Sequence, residues 1–189
     1  MAFQVTVSGP RHCTEADEAN ARRISELLAQ RGAIVLCGGR QLGVMGAVGA
    51  GVRSANGICI GILPGATEEG ASPDLTAVIP SDLGEARNNV LVQSCHALIV
   101  VGGSWGTLSE LALGMRRGGI PVIVIGGWKL LGADGTYVEG PHIAETPEQA
   151  VSMAFSLTSQ SSLQAASPAH HLELRPNRAE NAPTRPEQA

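Results

Sequence analysis

Short apolar runs rich in β-branched residues alternate along this chain with longer stretches whose apolar positions recur at helical spacing. Phe3-Gln-Val-Thr-Val7 alternates and halts at Ser8-Gly9-Pro10, a strand running into a loop. Thr14 and Asp17 give a cap signal for a helix to about Arg31, with Ala19, Ile24, Leu27 and Leu28 facing inward and Gly32 as its stop. Ala33 to Leu36 reads as a second strand, and the segment Cys37 to Gly46 turns it into a helix of small residues, Ala47, Val48, Ala50 and Val52. Ile58 to Leu63 and Thr76 to Ile79 read as further strands, ended by Pro64-Gly65 and by Pro80. Leu83 to Ser94 reads as a helix carrying Arg87, Asn88 and Asn89. Ala97 to Val101 is a continuous apolar run that suits a strand buried on both faces. It stops at Gly102-Gly103-Ser104-Trp105-Gly106, after which Thr107 and Glu110 have capping-box spacing, Thr at the cap, for a helix to about Arg117. Pro121 to Ile125, closing at Gly126-Gly127-Trp128, is a last buried strand, and Thr146-Pro147-Glu148-Gln149 opens a final helix to about Leu157.

Strands alternating with helices predict an α/β fold, a doubly wound and mostly parallel sheet with helices on both faces. In such a sheet the carboxyl ends of the strands share one edge, where ligands bind. The corners at Gly9, Gly38-Gly39, Pro64-Gly65, Gly102 to Gly106 and Gly126-Gly127 therefore converge on one rim. Glycine lets the backbone turn tightly and leaves N–H groups bare, and a following helix adds the positive end of its dipole. Such a corner is an anion site, and phosphate is its natural guest. The plainer reading, glycines that only pack turns and a Glu110 that only completes a cap, explains one corner better than a rim of them.

With 189 residues and 43% hydrophobic content, the chain supports one sizeable core. Aromatics at 3% and 24 glycines suit helices lying close on a sheet. A formal net charge of −4 without an evident basic face argues against nucleic acid as a partner. No apolar run approaches a membrane span and no charged-then-apolar leader opens the chain, so a cytoplasmic protein off the membrane is expected. Cys13, Cys37, Cys59 and Cys95 lack CxxC or CxxH spacing and read as reduced core or near-core thiols, Cys13 in a loop. Glu68, Glu69 and Asp74 read as a solvated acidic loop, and no metal site is expected. Beyond Leu157 the composition shifts to Ser, Gln, Ala, Pro, Asn and Arg without an apolar period. The domain is therefore expected over residues 1–157 and a disordered tail, with a solvated His170-His171, over 158–189.

Two corners together, Cys37-Gly-Gly-Arg-Gln-Leu-Gly-Val-Met-Gly46 and Gly102-Gly-Ser-Trp-Gly-Thr-Leu-Ser-Glu110, resemble the paired motifs of the LOG-type ("lonely guy") superfamily. The resemblance covers about Val5 to Phe155. It implies a modified Rossmann fold, a homodimer or higher homo-oligomer, and a phosphate-bearing, nucleotide-like small molecule at the glycine rim. Known members are phosphoribohydrolases that release a free base from a cytokinin riboside 5′-monophosphate. Against that family's Pro-Gly-Gly-x-Gly-Thr-x-x-Glu motif, Gly103, Gly106, Thr107 and Glu110 match, while Gly102 replaces the Pro and Ser104 the second Gly. The catalytic Arg of the family's Arg-Lys pair falls on Arg87, with Asn88 in place of the Lys, and Arg40 replaces the third Gly of the first motif. These departures are similar to a sister branch that includes molybdenum-cofactor carrier proteins, which bind a phosphate-bearing pterin.

The resemblance thus implies Glu110 and Arg87 as catalytic residues, with Gly9, Gly38, Gly39, Arg40, Gly43, Asn88, Gly102, Gly103, Ser104, Trp105, Gly106 and Thr107 around the ligand and its phosphate. Cleaving a ribosyl–base bond passes through an oxocarbenium-like sugar, which a nearby carboxylate stabilises while an acid helps the base depart. Glu110 suits the first role, and Arg87 suits a phosphate or a charge-assisted pair with Glu110. Trp105 stays open between stacking on a ring and closing the loop or a dimer contact. Arg40 stays open between a phosphate contact and a surface charge, Asn88 and Asn89 between a ribose contact and a local cap, and Met45 is assigned to the core.

Two functions follow. The first, ranked ahead, is a phosphoribohydrolase of a nucleoside 5′-monophosphate that needs no cofactor. The second is a non-catalytic carrier or sensor of a ligand such as molybdenum cofactor. A NAD(P) dehydrogenase is disfavoured, because Ser8-Gly9-Pro10 lacks the GxGxxG fingerprint and no acidic residue ends the second strand.

Overall fold

The computed structural model describes residues 2–165, the side chains of 161–165 excepted. From β1 (Gln4–Ser8) the chain passes through α1 (Glu15–Gln30) to β2 (Ile34–Cys37), and through α2 (Gly43–Ser54) to β3 (Ile58–Leu63). A loop leads to β4 (Ala77–Pro80), and a 3-10 turn, Gly84–Ala86, opens α3 (Arg87–Gln93). Then come β5 (Ala97–Val101), α4 (Trp105–Arg117), β6 (Val122–Ile125), β7 (His142–Ile143) and α5 (Pro147–Ala165). The strands form one sheet in the order β4-β3-β2-β1-β5-β6-β7, every neighbouring pair parallel. This is the expected doubly wound α/β architecture.

The chain builds outward from β1 to β4, then returns to lay β5 on the other side of β1, in register Ser8 opposite Val100. That reversal leaves a crevice at the carboxyl ends of β1 and β5, the place where open α/β sheets bind ligands. Every residue of β5 is buried, as its unbroken apolar run predicts. One face of the sheet packs α1, α2 and α5 around Val5, Val35, Ile99 and Ile123; the other packs α3 and α4 around Leu36, Leu98, Val100 and Val124.

Thr14 caps α1 in a reciprocal box with Asp17, as the spacing predicts. The buried stripe is Ala21, Ile24, Ser25, Leu28 and Ala29, a run of i, i+3, i+4, i+7 and i+8 positions. Ala19 lies off that stripe and is exposed, and Leu27 is half-buried, so the inward face is turned from the expected one. The small residues of α2 serve close approach: a Cβ on Gly51 would stand 2.2 Å from the Arg22 carbonyl oxygen of α1.

Three boundaries differ from expectation. The helix predicted from Leu83 begins only at Arg87, because Asp82 and Gly84 take positive φ values of 53° and 55° that a regular helix does not tolerate. The two-residue β7 is too short to carry a period. The final helix does not end at Leu157 but continues to Ala165. Thr158 donates to the Ala154 carbonyl at 2.7 Å and reaches the His96 carbonyl at 3.3 Å, Phe155 packs on Phe3, and no Gly or Pro intervenes before Pro168. The remainder of the expected tail, 166–189 with His170-His171, lies outside the described residues. Cys37, Cys59 and Cys95 are buried free thiols and Cys13 is half-buried. Among the described residues no helix is long and apolar enough to cross a membrane.

Candidate functional site

At the β1/β5 crevice opens a cavity of about 210 Å³. It is lined by Ser8, Gly9, Pro10 and Arg11 after β1, Gly38 and Met45 from the β2–α2 corner, Glu85, Arg87 and Asn88 at the start of α3, and Ser104, Gly106, Thr107 and Glu110 from α4. The volume lies below the ~300–1,000 Å³ of typical small-molecule cavities.

Ser104, not Thr107, is the N-cap of α4, which corrects the expected box. Ser104 has extended backbone, φ −149° and ψ 171°, and its hydroxyl accepts from the Thr107 N–H at 3.3 Å. Thr107 Oγ1 in return accepts from the Ser104 N–H at 2.6 Å. The box thus closes one turn earlier and leaves Glu110 free of any capping duty. Trp105 and Gly106 open the helix, where backbone donors lack an intrahelical acceptor. Those donors and the helix dipole face the same end.

Glu110 is only 6% exposed and Ser8 only 3%. Ser8 Oγ donates a hydrogen bond to Glu110 Oε2 across the cavity floor. Burial pushes the Glu110 carboxyl above the usual carboxylate range; the Ser8 hydrogen bond and the Arg87 charge pull against that shift, and Glu85 adds to it. Arg87 stands at the first turn of α3 with its Nε buried and without a hydrogen-bond partner among the described residues. Gly38 makes room for it, because a Cβ there would lie 2.7 and 2.9 Å from the two terminal nitrogens of Arg87. Asn88 is 4% exposed and donates to Ser109 Oγ at 3.1 Å, tying α3 to α4. Gly9 lets the loop after β1 cross α2, since a Cβ would meet Val44 at 2.1 Å.

Of the residues expected at the ligand, the structure brings Gly9, Gly38, Arg87, Asn88, Ser104, Gly106, Thr107 and Glu110 to this one cavity. Gly39, Arg40, Gly43, Gly102, Gly103 and Trp105 are not among its walls. Gly102, φ +64°, lies against the Asp17 carboxylate, and Gly103 against the Trp128 ring. Trp128 Nε1 donates to the Ser104 carbonyl at 3.1 Å, and Trp105, 77% exposed, leans on it with ring centroids 5.4 Å apart. That aromatic pair props the loop from outside. Arg40 points instead into a separate small cavity.

Sequence reasoning missed Ser8, Arg11 and Glu85 and assigned Met45 to the core, whereas it is half-buried and lines the cavity. Ser8 carried a signal, a polar residue ending an apolar strand at a recognised corner. Met45 lies in the first turn of α2, which faces the corner more than the sheet. Chemically, the site can hold a phosphate between Arg87 and the first turn of α4. It can also set a buried carboxyl beside whatever the phosphate carries.

An uncharacterized protein of Archaeoglobus fulgidus is 35% identical over 160 residues, 82% of this chain and 95% of its own. A cytokinin riboside 5′-monophosphate phosphoribohydrolase of Mycobacterium tuberculosis is 28% identical over 115 residues, 57% of this chain and 62% of its own. The molybdenum cofactor binding protein from Rippkaea orientalis superposes with a TM-score of 0.75 at 32% identity, covering 83% of this chain and 98% of that one. The molybdenum cofactor carrier protein of Chlamydomonas reinhardtii does so with a TM-score of 0.70 at 28% identity, covering 84% and 99%. The model of one family matches residues 2–168, the whole of the described fold, and the chain belongs to that family, SLOG cluster4.

Proposed function

We propose that this chain binds a phosphate-bearing heterocyclic small molecule of the molybdenum-cofactor type in the Glu110 cavity and carries it without cleaving it. The observation that supports this reading best is Arg87, which lines the same cavity as Gly106 in the first turn of α4 and whose buried Nε has no hydrogen-bond partner among the described residues. An unsatisfied buried guanidinium donor is costly, and a phosphate oxygen there removes the cost. Two further observations favour carriage over cleavage. Asn88 takes the place of the hydrolases' lysine and is committed to Ser109. The cofactor-binding proteins resemble this chain over more of its length than the hydrolase does. Self-association into a homodimer belongs to the same proposal, and light scattering at graded concentration tests it.

A second reading, the phosphoribohydrolase, is favoured by one observation: Glu110 is held by Ser8 in the same cavity as Arg87. Its carboxylate would stabilise an oxocarbenium-like ribose while water attacks the anomeric carbon and the base leaves with a proton. One set of assays separates the two. The full-length protein is offered AMP, N6-benzyl-AMP and molybdenum cofactor, with free base, bound pterin and bound molybdenum as readouts. The carrier reading expects stoichiometric pterin and molybdenum and no free base. Free base released by the wild type and abolished in Glu110→Gln overturns it in favour of the hydrolase.

A further inference from the structure

Arg40 is the residue that replaces a glycine of the first motif, and the Glu110 cavity does not use it. It lines a second, smaller cavity of about 100 Å³ with Arg11, Gln41, Leu42 and Gly70. Arg11 lines both cavities, so they share a wall.

The Arg40 side chain is held in place, and so is the backbone that carries Arg11. Arg40 donates from Nη1 to the Glu69 carbonyl at 2.9 Å. The loop that carries Glu69 is laced to the corner by an antiparallel bridge between Arg40 and Ala71 and by Ser72 N–H donating to the Gly39 carbonyl at 2.9 Å. Gly70 has φ +74°, and a Cβ on it would come within 2.6 Å of the Arg40 Nη1. The positive φ there favours glycine, and the glycine leaves the loop close against that guanidinium. On the other side, Val44 N–H donates to the Pro10 carbonyl at 3.1 Å, and Gly43, φ +59°, lets the Arg11 carbonyl sit 2.3 Å from where a Cβ would be.

Neither guanidinium is ion-paired among the described residues, whereas Arg23 and Arg53 are. Glu68 and Glu69 stand on the same loop, yet Arg40 meets the Glu69 backbone and not a carboxylate. Two like charges around one small cavity repel unless an anion sits between them. Guanidinium forks match tetrahedral oxyanions. A cavity of this size takes a phosphate-sized group and not a ring.

We infer a second anion subsite between Arg11 and Arg40, adjoining the Glu110 cavity, so that the ligand carries two phosphate-class groups and not one. The inference rests on the reading of the Glu110 cavity as a phosphate site, and it narrows the ligand from a phosphate-bearing heterocycle to one of the bisphosphate or diphosphate class. It also gives Arg40 a specificity role that the glycine it replaces cannot have.

Calorimetric titration of the full-length protein with AMP, ADP and adenosine 3′,5′-bisphosphate tests it, in wild type, Arg40→Gln and Arg40→Lys. Inorganic pyrophosphate in a thermal-shift assay is the nucleoside-free arm. At least one two-phosphate nucleotide should bind wild type about tenfold or more tighter than AMP, the worth of a charge-assisted contact. Arg40→Gln should abolish that gain while costing AMP several-fold less, since AMP's single phosphate lies in the Glu110 cavity, which Arg40 does not line. Arg40→Lys should keep part of the gain. Equal losses for AMP and the two-phosphate nucleotides put Arg40 on the first phosphate and overturn the inference; no loss for either also overturns it. If no nucleotide binds, the nucleoside reading fails and pyrophosphate decides. Stabilisation lost in Arg40→Gln upholds the subsite, and stabilisation that is absent or unchanged refutes it.

Discussion

The β5–α4 corner fixes its helix start with side chains, and the β2–α2 corner fixes its own by their absence. At the first, Ser104 and Thr107 exchange hydrogen bonds, and a Cβ on Gly106 would meet nothing closer than 3.7 Å. At the second, Leu42 sits at the cap position without a side-chain hydrogen bond. There Gly39, Gly43 and Gly46 would each bring a Cβ to 3.3 Å or less from other backbone atoms. The motif spells both corners with glycine and each lends one to the cavity wall, Gly106 and Gly38, yet at the second corner Gly39, Gly43 and Gly46 serve to let chain segments touch. A glycine-rich motif therefore does not by itself say where the ligand is. The cavity lies where glycine is accompanied by polar side chains from neighbouring elements.

That contrast can be broken most severely at Gly43. Gly43→Val forces a β-branched residue into φ +59° against the Arg11 carbonyl, and about 3 kcal/mol of stability should be lost in urea unfolding. Glu110→Gln comes next and shows itself in pH dependence. Burial raises the folded carboxyl above its unfolded value, so its stabilising effect is full below the ordinary carboxylate range and is lost as pH rises through the raised value. The wild type should therefore lose stability over that rise, by at most about 1.4 kcal/mol per pH unit, and the variant should lack that slope. Ser104→Ala removes a cap and should cost about 1 kcal/mol. Gly106→Ala should be the mildest, within about 0.5 kcal/mol of wild type in the same unfolding experiment. A Gly106→Ala as damaging as Gly43→Val would erase the distinction between the corners.

Most of the sheet was legible because each strand from β1 to β6 is an apolar run closed by Gly or Pro, and the parallel order follows from alternation with helices. The cap of α4 was not, because Ser104, Thr107 and Glu110 are spaced by three and form two overlapping box patterns. Local sequence cannot choose between them; the choice is made by Ser8, which lies 102 residues before Glu110 and takes up its carboxyl. The setting of Arg40 was left open for a like reason, since the loop that captures its guanidinium comes 29 residues later. The extra turns of α5 come from docking on Phe3 and His96, which a polar composition does not advertise.

The most direct test of the central claim, a phosphate held by Arg87 in the Glu110 cavity, is titration with AMP and with inorganic phosphate, wild type against Arg87→Gln. Binding by the wild type that weakens about tenfold or more in the variant, at unchanged melting temperature, is the predicted result. Equal binding by both proteins, or no binding of either anion by the wild type, would contradict the account.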